Sequence, residues 1–202
     1  LSCQNALLDQ GISALLLVTS TIGTPKMFGE FLAPSAFSLL DHWEIVPIQA
    51  IKQVLFFTKN KKCRLTFPNP AGAFSRSAVE LQLAHRAQQK GGRIRADSPI
   101  EKIVPATENA PYIFHLASGE IIEAETAVFA TGRFTQLTRA SMKSVYFGLK
   151  AHFQHVVHPE TLLMYSYPGA YFGIIPISDK TSNCACLVRR EVVENMGSAK
   201  QF

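Results

Sequence analysis

Charge is scarce in this chain. Only 17% of its 202 residues are charged, and 20 basic side chains against 15 acidic ones leave a formal charge of +5. The basic residues are scattered, which excludes a charged tail and gives no continuous stripe for nucleic acid. Cysteine occurs four times, at Cys3, Cys63, Cys184 and Cys186. That is too few for a disulfide framework, and the spacing fits no zinc template. Cys184-Ala185-Cys186, read as strand, is expected to turn its thiols to opposite faces. Free, mostly buried thiols in a reducing, cytoplasmic compartment are expected. Long apolar runs are also missing. The stretch from Ile12 to Val18 falls short of the roughly 20 residues that cross a bilayer, and no basic segment precedes it as in a secretory signal. No integral membrane segment is therefore expected. Repeats and low-complexity tracts are absent, as are G-x-S-x-G, C-x-x-C and any arguable Ser-His-Asp or Cys-His set. A hydrophobic content of 47% suffices for a real core and excludes a disordered chain.

What is present alternates in period. Residues 4–11 read as the end of a helix stopped by Gly11, and residues 12–18 as a short buried strand. A loop with Gly23 and Pro25 follows, then a short helix over 34–42 with Pro34 near its start. From Lys52 the period becomes two. Lys52–Thr58 and Arg64–Phe67 predict antiparallel strands joined by a solvated tip, Lys59 to Lys62. Pro68, Pro70 and Gly72 are expected to break the chain. Ser77-Ala78-Val79-Glu80 has a capping-box pattern, opening a helix with Val79, Leu83 and Ala87 on one stripe and Gly91-Gly92 at its end.

A strand at 93–96 and a meander over 100–129 come next, with Ser118-Gly119 as a hairpin turn. The meander is expected to finish in an apolar strand, Thr126 to Ala130, before Thr131-Gly132. Residues 144–157, 161–177 and 182–193 read as long antiparallel strands studded with aromatics and interrupted by Pro168-Gly169. The sequence thus predicts an α/β (α+β) chain: residues 1–140 alternate strands and helices with extra strands inserted near 45–70, and residues 141–202 form a second, sheet-forming region. That last region lacks a covering helix, so an exposed sheet edge could recruit a second copy in an oligomer.

Three groups of residues could carry chemistry. Arg76 sits at a helix N-terminus, where the helix dipole favours anions, so an anionic ligand would suit it; a solvated surface arginine is the alternative. Ala130-Thr131-Gly132-Arg133 follows an apolar strand, and ligands of open α/β sheets sit beyond the carboxyl ends of strands; an ordinary strand-to-loop turn is the alternative. His152, His155 and His158 invite a metal reading, but on a strand His155 opposes the other two, so no metal site is expected. The Lys59–Lys62 tip lacks interleaved stacking aromatics, so no nucleic-acid partner is expected.

The order of these features resembles a known family. An apolar strand, then Lys26-Met27-Phe28-Gly29-Glu30-Phe31-Leu32, then Phe74-Ser75-Arg76 opening a helix, then a meander ending in Ala130-Thr131-Gly132-Arg133, is similar to FAD-dependent oxidoreductases of the para-hydroxybenzoate-hydroxylase fold. The nearest branches are the geranylgeranyl-reductase-like proteins and the group A flavin monooxygenases. The resemblance covers roughly residues 6–192.

It implies a partial Rossmann-like FAD/NAD(P)-binding domain with a β-meander, and an antiparallel-sheet substrate domain. It also implies a flavoprotein that uses FAD, with NAD(P)H as reductant. Arg76 would then touch the phosphate or ring side of FAD, Gly29 would permit close approach beside the flavin, and Ala130, Thr131, Gly132 and Arg133 would lie near the adenosine part. The substrate would be an apolar, aromatic or prenyl-like small molecule, with Phe147, Phe153, Tyr165, Tyr167, Tyr171 and Phe172 lining its pocket or packing in the core. No catalytic residue is assigned.

Departures from the family are plain. G-x-G-x-x-G is absent, Thr19 stands where the family has a ribose-binding acid, and Phe28-Gly29 replaces its Cys-Gly pair. The sequence accordingly reads as a chain truncated at both ends. The alternative is a non-catalytic remnant that does not bind FAD by itself.

Overall fold

The computed structural model describes residues 1–24, 29–131, 145–155 and 158–195. In chain order the first half comprises α1 (Ser2–Asp9), β1 (Leu15–Leu17), β2 (Phe31–Leu32), α2 (Pro34–His42), β3 (Gln49–Phe57), β4 (Lys62–Ala73) and α3 (Arg76–Gln89). The second half comprises β5 (Arg93–Arg95), β6 (Ile100–Val104), β7 (Tyr112–Leu116), β8 (Ile121–Ala124), β9 (Tyr146–Gln154), β10 (Thr161–Tyr167), β11 (Ala170–Pro176), β12 (Thr181–Arg189) and α4 (Arg190–Asn195). The chain forms two compact units. One comprises residues 1–24 and 80–142, the other residues 25–79 and 143–202, and the boundary falls inside α3.

The first unit is built on a parallel pair, β1 with β5, and an antiparallel meander, β6-β7-β8. Its helices end as their glycines require. Gly11 at φ +72° and Gly91 at φ +77° take the left-handed conformation. Around them Ile12 N–H reaches Leu7 O (2.9 Å) and Gly92 N–H reaches Ala87 O (2.7 Å), the paired bonds of a Schellman stop.

Polar side chains fasten α1 to its neighbours. Asn5 is fully buried. Its Nδ2 donates to Leu83 O at 2.9 Å and its Oδ1 accepts from Arg86 at 3.0 Å. Arg86 also pairs with Asp9 at 2.8 Å. Gln4 Nε2 donates to Ala14 O and Arg93 O, joining the helix to the entry of both parallel strands. Val79, Leu83 and Ala87 are buried, as the stripe predicts.

The second unit is a seven-stranded sheet in the order β2-β4-β3-β10-β11-β12-β9. It is mixed rather than wholly antiparallel, because β10 runs parallel to β3. The core on one face comprises Ile51, Val54, Ala71, Ala73, Leu162 and Ile175. Ile51 and Val54 are three residues apart, yet share that face because the β3–β4 register shifts between Ile51 and Gln53. Pro168-Gly169 closes the β10–β11 hairpin, with Gly169 at φ +78° as a turn of this kind requires.

Several expectations are corrected. Pro68 and Pro70 do not end β4. They lie in the stretch between Thr66 and Ala71 where the ladder is interrupted, the place in a strand that tolerates a missing N–H. Thr126–Ala130 is not a strand. Val128 and Phe129 are exposed, and the Phe129 ring packs on Tyr112 and Phe114 instead of pairing its backbone.

The cap of α3 is Ser75, whose Oγ accepts from Ala78 N–H at 3.4 Å, not Ser77. Residues two apart on a strand share a face, so Cys184 and Cys186 of β12 point the same way. Burial pushes both thiols up, and for Cys184 the charge of Cys186 adds to it. The segment from 182 to 193 ends as helix α4 rather than as strand.

Candidate functional site

In the first unit the geometry centres on the carboxyl ends of β1 and β5. Val18 N–H donates to Arg95 O and Ser98 N–H to Val18 O, both at 2.9 Å, so the two exits run side by side. The loop after β1 folds on itself through Thr24 Oγ1 donating to Thr21 O at 2.6 Å. Gly23, at φ +80°, donates its N–H to the buried carboxylate of Glu80 at 3.3 Å. The neutral Thr19 leaves no acid on β1, but Asp97 supplies one beyond β5. Its carboxylate accepts from the Thr21 hydroxyl at 3.4 Å, and its backbone sits at φ +50°. The carboxyl ends of parallel strands are where open α/β sheets hold ligands. No motif announces Asp97. The one available signal was an acid just past the strand that pairs with β1.

Ala130 and Thr131, also in this unit, are exposed residues after Phe129. Gly132 and Arg133 lie outside the described residues, as do Lys26, Met27 and Phe28.

In the second unit the Gly29-Glu30 turn carries the geometry. Glu30 is 4% exposed and adopts φ +58°, a conformation costly for a residue with a Cβ. Two basic side chains of β9 hold its carboxylate: Lys150 Nζ at 3.1 Å from Oε1, and His152 Nε2 at 3.1 Å from Oε2. The fully buried Asn183 of β12 donates to Gly29 O at 2.9 Å, and its own Oδ1 has no partner among the described residues.

Glu30 O accepts from Phe74 N–H at 2.9 Å, continuing the β2–β4 ladder. Gly29 thus leaves that ladder beside the segment that enters α3, where half-buried Arg76 is the first residue. Of the expected cofactor residues, Gly29 and Arg76 belong to the second unit and Ala130 and Thr131 to the first. Chain neighbours apart, no described atom lies within 4 Å of the place a Cβ on Gly29 would take. Neither a positive φ nor a crowding neighbour among the described residues therefore demands glycine at this point.

One row of the sheet runs up to this turn. By register Met164, Gly173, Ala185 and Lys150 follow one another across β10, β11, β12 and β9. The six aromatics expected to line a pocket lie elsewhere. Phe147, Phe153, Tyr165, Tyr167 and Phe172 share the opposite face by strand alternation, and Tyr171 alone faces the Gly29 side. Tyr165 stacks on Phe57 at 4.7 Å and on Phe172 at 4.8 Å. His152 pairs with Glu30, whereas His155 sits in a turn at φ +64°. Among the described residues no group of three His, Cys, Asp or Glu could hold a metal ion. No described helix is long and apolar enough to cross a membrane.

Comparison with known proteins begins with two negatives: no family model matches the chain, and no curated protein does. Solved structures do match. A flavoprotein/dehydrogenase from Cytophaga hutchinsonii superposes with TM-score 0.77 at 16% identity, over 96% of this chain and 54% of its own. A probable FAD-dependent monooxygenase, pqsL, from Pseudomonas aeruginosa gives 0.77 at 10% identity, over 96% and 59%. A geranylgeranyl bacteriochlorophyll reductase-like protein from Thermoplasma acidophilum gives 0.72 at 15%, over 98% and 56%. The chain spans little more than half the length of each. At such low identity it is the path of the backbone that is shared, and that path is the fold of FAD-dependent monooxygenases, halogenases and geranylgeranyl-reductase-like flavoproteins.

Proposed function

We propose that the chain is a portion of an FAD-dependent oxidoreductase, of the reductase or monooxygenase type, that acts on an apolar, aromatic or prenyl-like small molecule. The observation that carries this reading is the Gly29 turn. Its backbone is pinned by Asn183 and by the Glu30 ladder bond, yet a side chain there would meet open space among the described residues. A glycine held rigidly against nothing suits close approach by a ligand.

FAD, when bound, would carry electrons from NAD(P)H to the substrate or to oxygen. Gly29, Arg76, Ala130, Thr131, Gly132 and Arg133 are the residues proposed to contact it. Asp97 with Thr21 would take the ribose hydroxyls in place of the acid missing at Thr19. Lys150 would remain bound to Glu30. Asp97 with Thr21 supports the reading at the adenosine end, and the open space at Gly29 supports it at the ring end. A Gly-rich cradle for the FAD pyrophosphate is not among the residues present, and this favours a second reading, a remnant that takes up no FAD alone. A cytoplasmic location accords with the four free cysteines.

Titrating the chain with FAD and following flavin absorbance and fluorescence tests the reading. Saturable uptake that Gly29→Val weakens at least tenfold is expected. A colourless chain that takes up no added FAD leaves the remnant.

A further inference from the structure

At one end of the second unit's sheet two turns lie side by side. They are the β3–β4 turn, Thr58 to Lys61, and the β10–β11 turn at Pro168-Gly169. Because β10 runs parallel to β3 with Tyr165 opposite Phe57, the two turns project the same way. They enclose an open cleft of about 530 Å³, lined by Lys59, Asn60 and Lys61 from one turn and Ser166, Tyr167 and Pro168 from the other. No carboxylate lines it. Lys62 lies over the Phe57 ring at 5.2 Å, at the start of the stack that runs through Tyr165 and Phe172 to Tyr167.

The same end exposes apolar and amphipathic side chains, notably Tyr167 (53% exposed) and Tyr171 (47%). β12 ends and β9 begins here as well. The nearby acids of α4 are engaged: Glu191 faces Arg189 at 3.3 Å and Glu194 faces Arg190 at 3.9 Å. Among the described residues Lys59, Lys61 and Lys62 have no carboxylate partner. Three lysines of one sign beside exposed tyrosines, at the tips of two adjacent hairpins, match the chemistry of an anionic bilayer surface. There tyrosine occupies the headgroup layer and lysine meets phosphate.

We propose that this end of the second unit rests on an anionic lipid surface, with Lys59, Lys61 and Lys62 against headgroup phosphates and Tyr167 and Tyr171 in the interfacial layer. The contact is peripheral and needs no cofactor, so it stands or falls apart from the flavin reading. It would bring an apolar substrate's reservoir to the protein.

Flotation of the intact chain with vesicles tests it. The chain is expected to float with mixed phosphatidylglycerol and phosphatidylcholine vesicles and to stay behind with phosphatidylcholine alone. High salt should release it. Lys59→Gln/Lys61→Gln should lower the partition coefficient about 30-fold, with an unchanged melting curve because both side chains are exposed. Tyr167→Ser should lower it about threefold.

The control Arg93→Gln/Lys102→Gln removes the same charge from the first unit and should change nothing. The proposal is overturned if the chain ignores anionic vesicles or binds both vesicle types equally, or if the control falls as far as the lysine pair. Displacement from vesicles by millimolar inorganic phosphate would mark a soluble-anion cleft instead. Tighter capture by a single-stranded oligonucleotide would mark a nucleic-acid site. Either result also overturns it.

Discussion

The two units solve the same packing problem with different materials. The second uses apolar area: a seven-stranded sheet with Ile51, Val54, Leu162 and Ile175 on one face and a ring stack on the other. The first has a parallel pair only three residues long in each strand, and polar side chains take up the fastening. Asn5, Gln4, Arg86 and Asp9 tie α1 to α3 and to both strands through directional bonds. The contrast shows that a small sheet can be held by buried hydrogen bonds where its apolar surface is short, at the cost of tolerating no loss of a partner.

The largest expected effect tests the apolar side. Ile175→Ala should cost about 3 kcal/mol in chemical denaturation, with faster amide exchange confined to the large sheet. Next comes the polar side. Asn5→Leu takes away one acceptor of Arg86 and the side-chain donor to the Leu83 carbonyl, and should cost about 2 kcal/mol, with exchange rising in α1, β1 and β5. Equal behaviour of Asn5→Leu and the parent would erase the contrast, because the first unit would then be held by apolar contact like the second.

Ser75→Ala should cost about 1 kcal/mol and Ser77→Ala much less, measured by thermal melting. The reverse order would restore the capping-box reading. The smallest effect concerns the exposed bidentate pair of Arg95 and Glu120, at 2.7 and 2.5 Å. The Arg95 hydrogen bond, with its charge, holds the Glu120 carboxyl below its ordinary range. A depressed carboxyl contributes stability above its unfolded pKa, about 4.3, and loses it as pH falls through the depressed folded value. The parent should therefore weaken on acidification slightly more than Glu120→Gln, in paired pH melts. Identical acid profiles would assign the pair no role.

Local chemistry was what the sequence could disclose. Gly11, Gly91, Gly119 and Gly169 all take positive φ where a helix or hairpin was expected to stop, because a left-handed residue is a strictly local demand. The fold class followed from such stops together with the change of period. Long-range partners were not legible. Nothing near Glu30 marks it as the acid that Lys150 and His152 will hold, because the His152 partner lies 122 residues away. Asp97 hid for the same reason: its meaning comes from β1 lying beside β5. The apolar run at Thr126–Ala130 misled because composition predicts a strand but cannot supply a neighbour to pair with. At Pro68 and Pro70 the ladder made room for what local rules forbid.

The parallel pairing of β3 with β10 has a consequence in time. Gln53 and Thr161 meet in the middle of the large sheet across 108 residues of chain. Loop closure of that length precedes any reward from the strands it joins. During synthesis β2, β3 and β4 must therefore wait as a three-stranded ladder, with Val54 lacking its Leu162 neighbour, until β10 leaves the ribosome. The second unit is thus the slow-maturing part of the molecule, and this ladder is the segment most in need of shelter while it waits.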